Sequence, residues 1–378
     1  MDAASLLKGY NKKKLSIGAL GGHSGLDVAS GGTSFGFKTV VVAQKGREKT
    51  YATYFKKSAH DRGCIDEVIV VEKFKDILKE DIQQKLRKMN TIFVHNRYFW
   101  VYFDDFSKVE NDFNVPIFGS RTLLKLEERN QPYNQYDLLK DAGIRTPKIF
   151  KDHNQIDRPV LVKASEAKRG YERGFFVVSK PAEYTDMGNK LQEEGKIASN
   201  WREATVEEFI VGAHVNFNFF YSPLTGQLEL LGTDTRRQTN LDGLLRLPAW
   251  QQEQIRKHVD LKMIETGHIA VTVKESILEK AYDLGEKFVK ATQKLPKKLD
   301  PSGKGIIGPF ALQGAVVAEE GREDIVIFDV SLRIPGSPGI AATPYSAYLH
   351  GRLMSMGERC AMELRRAVEE DRLEAVVT

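Results

Sequence analysis

The residues able to do chemistry fall in a definite order along this 378-residue chain. An apolar run, Leu15 to Leu20, ends in the turn Gly21-Gly22-His23-Ser24-Gly25, and a second strand, Thr39 to Ala43, ends in Gln44-Lys45-Gly46-Arg47. The glycine spacing does not fit the G-x-G-x-x-G dinucleotide fingerprint. Where that fingerprint expects a ribose-binding acid, this chain has Lys45 and Arg47. A lysine and an arginine at the carboxyl end of a strand, beside amides that open a helix, suit a phosphomonoester. A nucleoside monophosphate therefore fits better than NAD. His23, at the tip of the turn, is placed to touch such a substrate; the competing expectation is a solvated or locally capping histidine.

A second group lies further on. There is no G-x-x-x-x-G-K-[ST] loop, which excludes a P-loop as the site for ATP. Instead Lys163 ends the apolar strand PVLVK, where its ammonium can reach nucleotide phosphates. The following ASEAKRGYERGFF holds Arg169, Gly170 and Gly174, a stretch whose backbone can fold over those phosphates. VEEFIVG then sets Glu207 and Glu208 beside backbone that can pair with a purine edge. Gln313 on PFALQ and Asp329 on IVIFDVSLR can offer oxygens to Mg²⁺, whose shell is completed by water and phosphate. Arg333 follows four residues later. Singly, each has an ordinary explanation, since strand-terminal lysines and acidic strand residues mostly face water.

The elements that must position these groups are legible in outline. Strands at Glu67 to Val71 and Thr91 to Val94, with a helix from about Ile77 to Lys88 between them, extend the opening β–turn–helix–β unit into a parallel, doubly wound sheet. Leu123 to Gly143 reads as a helix, with Pro147 beyond it and a boundary near Thr146. Short strands then dominate: 159–164, 174–179, 204–210, 216–222, 228–234 and 324–333, the pattern of a large antiparallel sheet. A long helix, Val273 to Thr292, crosses this part, and the tail from Ser355 is helical.

Composition narrows the function. With 41% hydrophobic and 28% charged residues the chain is globular, and its excess of five positive charges suits anionic small molecules without a basic run for nucleic acid. Cys64 and Cys360 lie far apart and outside any C-x-x-C, so both read as ordinary reduced core thiols. No segment fits a signal peptide or a membrane span, which makes a cytoplasmic protein the expectation.

Lysine strand, glycine lid, Glu-Glu-hydrophobic hinge and acid-x-Ser-x-Arg strand, in that order, resemble an ATP-grasp fold. More specifically, LGGHSGL, FKTVVVAQKGR, VENDFNVPIFGSR, LLKDAGIRTPK, FYSPLTGQLELLGTDTRRQTNLDGLLRLPA, IIGPFALQ and SMGER resemble the archaeal formate-dependent 5-formaminoimidazole-4-carboxamide ribonucleotide synthetases, the PurP family. The resemblance runs from about residue 5 to the end. It implies an α/β and α+β architecture: a Rossmann-like substrate-binding domain over residues 1–145, then an ATP-grasp domain over 146–378 with lobes at about 146–212 and 213–378. It implies a ligase in which ATP activates formate and the amine of the aminoimidazole carboxamide ribonucleotide takes the formyl group, with Mg²⁺ or Mn²⁺ as cofactor. His23 and Asn240 would bind the aminoimidazole carboxamide. Lys163 and the Arg169 to Gly174 lid would hold ATP phosphates, and Glu207 with the backbone around Glu208 and Ile210 would hold adenine. Gln313 and Asp329 would ligate the metal, and Arg333 would steady the transferring phosphoryl group. A homo-oligomer is also implied.

Three departures stand out. Where the family reads P-H-G-S-F, this chain has His95-Asn96-Arg97-Tyr98-Phe99, so Tyr98 takes the position of a substrate-touching serine. Asp329 stands for a usual Glu, and the lid is less glycine-rich. The HNRY segment keeps open a related carboxylate–amine ligase with another carboxylate or nucleotide. A non-catalytic nucleotide-binding regulator is the third possibility, disfavoured because the lysine, metal ligands and arginine all persist.

Overall fold

A computed structural model describes residues 2–59, 62–103, 105–164, 167, 174–259, 264–319 and 321–378, with Trp100 by its backbone alone. Arg169 and Gly170 thus lie outside the described residues.

The first sheet comprises β1 (Ser16–Leu20), β2 (Lys38–Gln44), β3 (Glu67–Val71), β4 (Thr91–Val94) and β5 (Ile117–Phe118). All pair in parallel, in the order β3-β2-β1-β4-β5. Every residue of β1 and β4 is buried, as expected of strands covered on both faces. The strand order reverses between β1 and β4, and in such sheets ligands bind in the crevice outside the carboxyl ends at that point. There lie the Gly21–Ser24 turn after β1 and the His95–Tyr98 segment after β4.

The helix after the glycine turn, Gly25–Ser34, is fixed by the C-terminal helix Met356–Glu369. A Cβ on Gly357 would come 2.1 Å from the Asp27 carbonyl oxygen, and one on Gly31 would come 2.2 Å from Gly357. Only glycine permits so close a backbone approach. Ser355 starts the second helix with a reciprocal cap: its hydroxyl accepts from the Glu358 amide at 3.2 Å, and Glu358 accepts from the Ser355 amide at 2.9 Å. The end of the chain thus braces the turn that carries His23.

Two antiparallel sheets follow rather than the single large one expected. One holds β6 (Ile149–Phe150), β7 (Val160–Ala164), β8 (Gly174–Val178) and β9 (Thr205–Glu208), in the order β6-β9-β7-β8. The other holds β10 (Ala213–Ser222), β11 (Gln227–Gln238), β12 (Glu265–Ala270), β13 (Gly308–Glu319) and β14 (Arg322–Ser331), in the order β12-β11-β10-β13-β14. β9 and β10 belong to different sheets although only four residues separate them. Pairing, not proximity along the chain, assigns a strand to its sheet.

Alternation gives the larger sheet two unlike faces. In His214-Val215-Asn216-Phe217-Asn218, Val215 and Phe217 join a core with Leu230, Leu312, Val330 and Phe288 of the Glu275–Gln293 helix. Burial of one such aromatic stabilises the fold by about 1.5–3 kcal/mol. The intervening residues give the other face its polar surface.

Two helices differ from expectation. The Ile77 to Lys88 region begins as a 3-10 turn, Phe74–Leu78, before the helix Glu80–Lys88. Leu123 to Gly143 is not continuous: a 3-10 turn over Leu123–Glu127 and a helix over Gln135–Asp141 flank a segment containing Pro132. Asn134 caps that helix, accepting from the Tyr136 amide at 3.0 Å.

Candidate active site

A cavity of about 820 Å³ is bounded by the carboxyl ends of the parallel sheet, the inner face of β7–β9 and the polar face of β10–β14. It gathers His23, Arg47, Tyr98, Lys163, Glu207, Glu208, Ile210, Gln313, Asp329 and Arg333. Residues drawn from three sheets thus converge on one space.

At one end, β7 and β9 pair antiparallel with Leu161 opposite Glu207, which puts Lys163 diagonally across from Glu207 on the same face. The Lys163 Nζ lies 2.6 Å from Glu207 Oε1, and both side chains are only 3% exposed. Nζ also donates to the Phe328 carbonyl at 3.2 Å and to Tyr136 Oη at 3.2 Å, while that phenol donates to Glu207 Oε2 at 2.8 Å. Burial and the nearby Arg129 guanidinium push the Lys163 ammonium down from its ordinary pKa, against the pull of Glu207. Glu207 therefore serves as the counter-ion of Lys163. Glu208 turns the other way, accepting from Arg158 at 3.2 Å, and its amide donates to the Lys148 carbonyl at 2.9 Å.

In the middle, Gln313 on β13 and Asp329 on β14 are register partners, so their side chains share a face. Ser331 and Arg333 follow at alternate positions. Gln313 Nε2 donates to Ser331 Oγ at 2.9 Å, which fixes the amide so that Oε1 is the outward oxygen, accepting from Arg236. Asp329 accepts from Arg129 at 3.4 Å. An amide oxygen and a carboxylate held side by side form an oxygen donor pair suited to a hard divalent cation, with phosphate and water completing the shell.

At the far end, Arg333 is 5% exposed, its Nε 3.5 Å from Glu127 Oε1 without a hydrogen bond. Glu127 is anchored by the Leu332 amide at 2.6 Å. His23 adopts φ 54°, its Nδ1 within 3.1 Å of Ser24 Oγ and its ring against Gly336, where a Cβ would meet Nε2 at 2.7 Å. Burial and the charges of Arg333 and Arg97 hold its imidazole well below the ordinary range, so it is neutral near pH 7. This is a cavity histidine rather than a solvated one.

Tyr98 also lines this end, its ring over Gly22, where a Cβ would come 2.1 Å from the tyrosine ring. Gly22 has φ 141°. The phenyl ring packs on Phe74 at 5.1 Å and edge-on to Tyr102 at 4.8 Å. The aromatic run over 99–106 accordingly divides: Phe99, Phe103 and Phe106 are core, and Tyr102 faces Arg47, which donates to its hydroxyl at 3.0 Å.

Three of the expected residues are not brought to the cavity wall. Lys45 continues the ladder, its amide donating to the Val71 carbonyl, and its ammonium pairs with exposed Glu72 at 2.8 Å. Gly46, at φ 85°, then reverses the chain and returns Arg47 to the cavity. Asn240 sits in the first turn of the helix Thr239–Leu244, and the neighbouring lining residues are Gln238 and Arg236. Gly174 opens β8, paired with Ala164, and Phe175 is the residue that reaches the cavity.

Other residues of the site escape a linear reading. Asp234, fully buried, accepts from Asn216 at 2.9 Å and Asn218 at 2.6 Å and is bonded to His268 Nδ1; His268 Nε2 lies 3.0 Å from Glu265. Burial opposes the charge on His268, but the two carboxylates outweigh it and raise its pKa to about 9. Arg97, Arg129 and Arg236 complete the cationic lining. The alternating HVNFNFF signals a polar face, but nothing local marks these arginines or His268 as belonging to it.

Family models match residues 17–150, described as a protein of unknown function (DUF1246), and 183–378, described as a domain of unknown function (DUF1297). A relative from Methanothermobacter thermautotrophicus, named 5-formaminoimidazole-4-carboxamide-1-(beta)-D-ribofuranosyl 5'-monophosphate synthetase, is 37% identical, covering 100% of this chain and 98% of its own. The crystal structure of an IMP biosynthesis protein PurP from Thermococcus kodakaraensis aligns over 96% of this chain and 100% of its own, with TM-score 0.69 and 28% identity. An N5-carboxyaminoimidazole synthetase from Staphylococcus aureus aligns over 94% and 79%, with TM-score 0.58 and 14% identity, a likeness of fold alone. The architecture is thus an ATP-grasp fold preceded by a doubly wound parallel sheet. Among the described residues no helix is long and apolar enough to cross a membrane.

Proposed function

The chain belongs to the 5-formaminoimidazole-4-carboxamide ribonucleotide synthetase (PurP) family, and from that membership together with the cavity we propose that it is an ATP-dependent C–N ligase of purine biosynthesis. It formylates the amine of 5-aminoimidazole-4-carboxamide ribonucleotide, using formate and ATP. The observation that carries this is that a buried lysine, an oxygen donor pair, a buried arginine and a neutral histidine succeed one another along one cavity. Activation and transfer can then occur without a reactive intermediate leaving the site.

Formate acylates amines poorly because oxide is a poor leaving group. Attack of a formate oxygen on the terminal phosphorus of ATP gives formyl phosphate and ADP. The amine nitrogen then attacks the carbonyl carbon, the C–O bond to phosphorus breaks, phosphate leaves, and the nitrogen loses a proton. Lys163, its charge balanced by Glu207, donates to phosphate oxygens at the nucleotide end, with the backbone from Glu208 to Ile210 as the adenine edge. Gln313 and Asp329 would hold Mg²⁺ or Mn²⁺, which when bound screens the ATP phosphates. Arg333 offers a planar guanidinium to the transferring phosphoryl group. His23, neutral, can accept a hydrogen bond from the amine or carboxamide. The three sheets wall this space, which limits the access of water to the mixed anhydride.

The test is ADP release with formate and the ribonucleotide together and with each alone. We expect full turnover only with both, and labelled formate to appear in the nucleotide mole for mole with ADP. Absence of stimulation by the pair would refute the proposal; turnover with another carboxylate in place of formate would support the related-ligase alternative that Tyr98 motivates.

A further inference from the structure

We propose that Arg97, acting with Arg47, forms the subsite for the phosphomonoester of the ribonucleotide, an inference that rests on the substrate proposed above. The two guanidiniums line the same cavity from the carboxyl ends of β4 and β2, either side of β1. This is the place where the parallel sheet reverses its strand order and where a phosphorylated ligand is held in folds of this kind.

Arg97 differs from every other cation of the cavity in its partners. Lys163 has Glu207, Arg129 has Asp329, Arg236 has Glu265 and Arg333 faces Glu127. Arg47 spends one nitrogen on Tyr102. Among the described residues the Arg97 side chain makes no hydrogen bond or ion pair, although it is partly buried and lines the cavity. A guanidinium withdrawn from bulk water with five donors uncommitted is poised for an anion that arrives with the ligand.

Its surroundings choose among the anions. The charge of Arg97 is felt at His23 and Arg333, so it belongs to the end of the cavity where the aminoimidazole ring is expected, away from the Lys163 end. The transferring phosphoryl group already has Arg333. A phosphomonoester carries close to two charges near neutral pH and asks for two cations, which Arg47 and Arg97 supply. Lys45, whose position suggested this role, is held at the surface by Glu72.

The test is calorimetric binding of the ribonucleotide and of its dephosphorylated ribonucleoside, without ATP or formate, to the wild-type chain and to R97Q and R97K. The wild type should bind the nucleotide more tightly than the nucleoside. R97Q should weaken the nucleotide by on the order of tenfold to a hundredfold, the range for a charge-assisted contact, and leave the nucleoside within about twofold. R97K should fall between, since it keeps the charge but loses the fork. Unchanged ATP affinity in the same variants establishes that they are folded. Equal losses for nucleotide and nucleoside would overturn the inference while leaving the proposed substrate standing. A wild-type chain that binds neither would overturn both.

Discussion

Removing the carboxylate of Glu207 tests how the Lys163 end of the cavity is held together. At 2.6 Å, with an effective dielectric constant of about 20, the Lys163–Glu207 attraction is worth about 6 kcal/mol. Withdrawing both groups from water offsets most of that, so the net contribution of the intact pair is small. Loss of one partner is a different matter. Among the described residues Glu207→Ala leaves a buried ammonium with the Phe328 carbonyl and the Tyr136 hydroxyl as its acceptors, and should cost about 3–5 kcal/mol. Lys163→Met should cost a similar amount, because among the described residues Glu207 then keeps Tyr136 as its hydrogen-bond partner and no cation in direct contact. The double variant removes both charges and should cost clearly less than the sum of the two, by at least about 2 kcal/mol, a coupling expected only for groups in direct contact. Urea unfolding followed by circular dichroism at pH 7 measures all four corners of the cycle. Additivity within about 0.5 kcal/mol would refute the claim that these side chains neutralise each other.

Further predictions concern the remaining parts of the site. Asp329→Ala should abolish ADP formation and weaken the metal-dependent part of ATP binding, with an unfolding midpoint near wild type; Arg129 retains a hydrogen bond to Tyr136. Gly357→Ala places a methyl group against the Asp27 carbonyl and should destabilise by about 1–3 kcal/mol, read as a lowered melting temperature. His268 has a folded pKa raised to about 9 against an unfolded value of about 6.5. Its contribution is fully present below about pH 6.5 and is lost as pH rises through 9. Stability measured between those values should fall in the wild type and stay flatter in His268→Gln.

Much of the site was legible because strands alternate. Asp329 and Ser331 stand two residues apart on β14, so alternation puts both on one face, and Leu161 and Lys163 share a face of β7 in the same way; Arg333 lines the cavity two residues past the end of β14. What the linear sequence conceals is partnership across sheets. Glu207 looks like a hinge residue in VEEFIVG, yet forty-four residues separate it from the lysine it neutralises, and only the β7–β9 pairing brings the two together. Lys45 and Arg47 look equivalent at a strand's end, but the left-handed Gly46 between them sends one to the surface and the other inward. The break within 123–143 was marked by Asn130-Gln131-Pro132, a turn signal outweighed by the apolar residues around it. That break frees Glu127 and Arg129 to reach Arg333 and Asp329. Arg97 gave no sign because it stands at the head of an aromatic run whose periodicity reports core packing. Cys360 is buried as expected, its thiol pushed up by burial, whereas Cys64 is only half-buried.

The central claim is that formate is activated by phosphorylation before the amine attacks. Formate carrying heavy oxygen, incubated with the chain, ATP and the aminoimidazole carboxamide ribonucleotide, decides it by mass analysis of the released phosphate. The account predicts one heavy oxygen in each phosphate formed, because the C–O bond that breaks leaves the formate oxygen on phosphorus. Formation of the formamido product with unlabelled phosphate released mole for mole would contradict it.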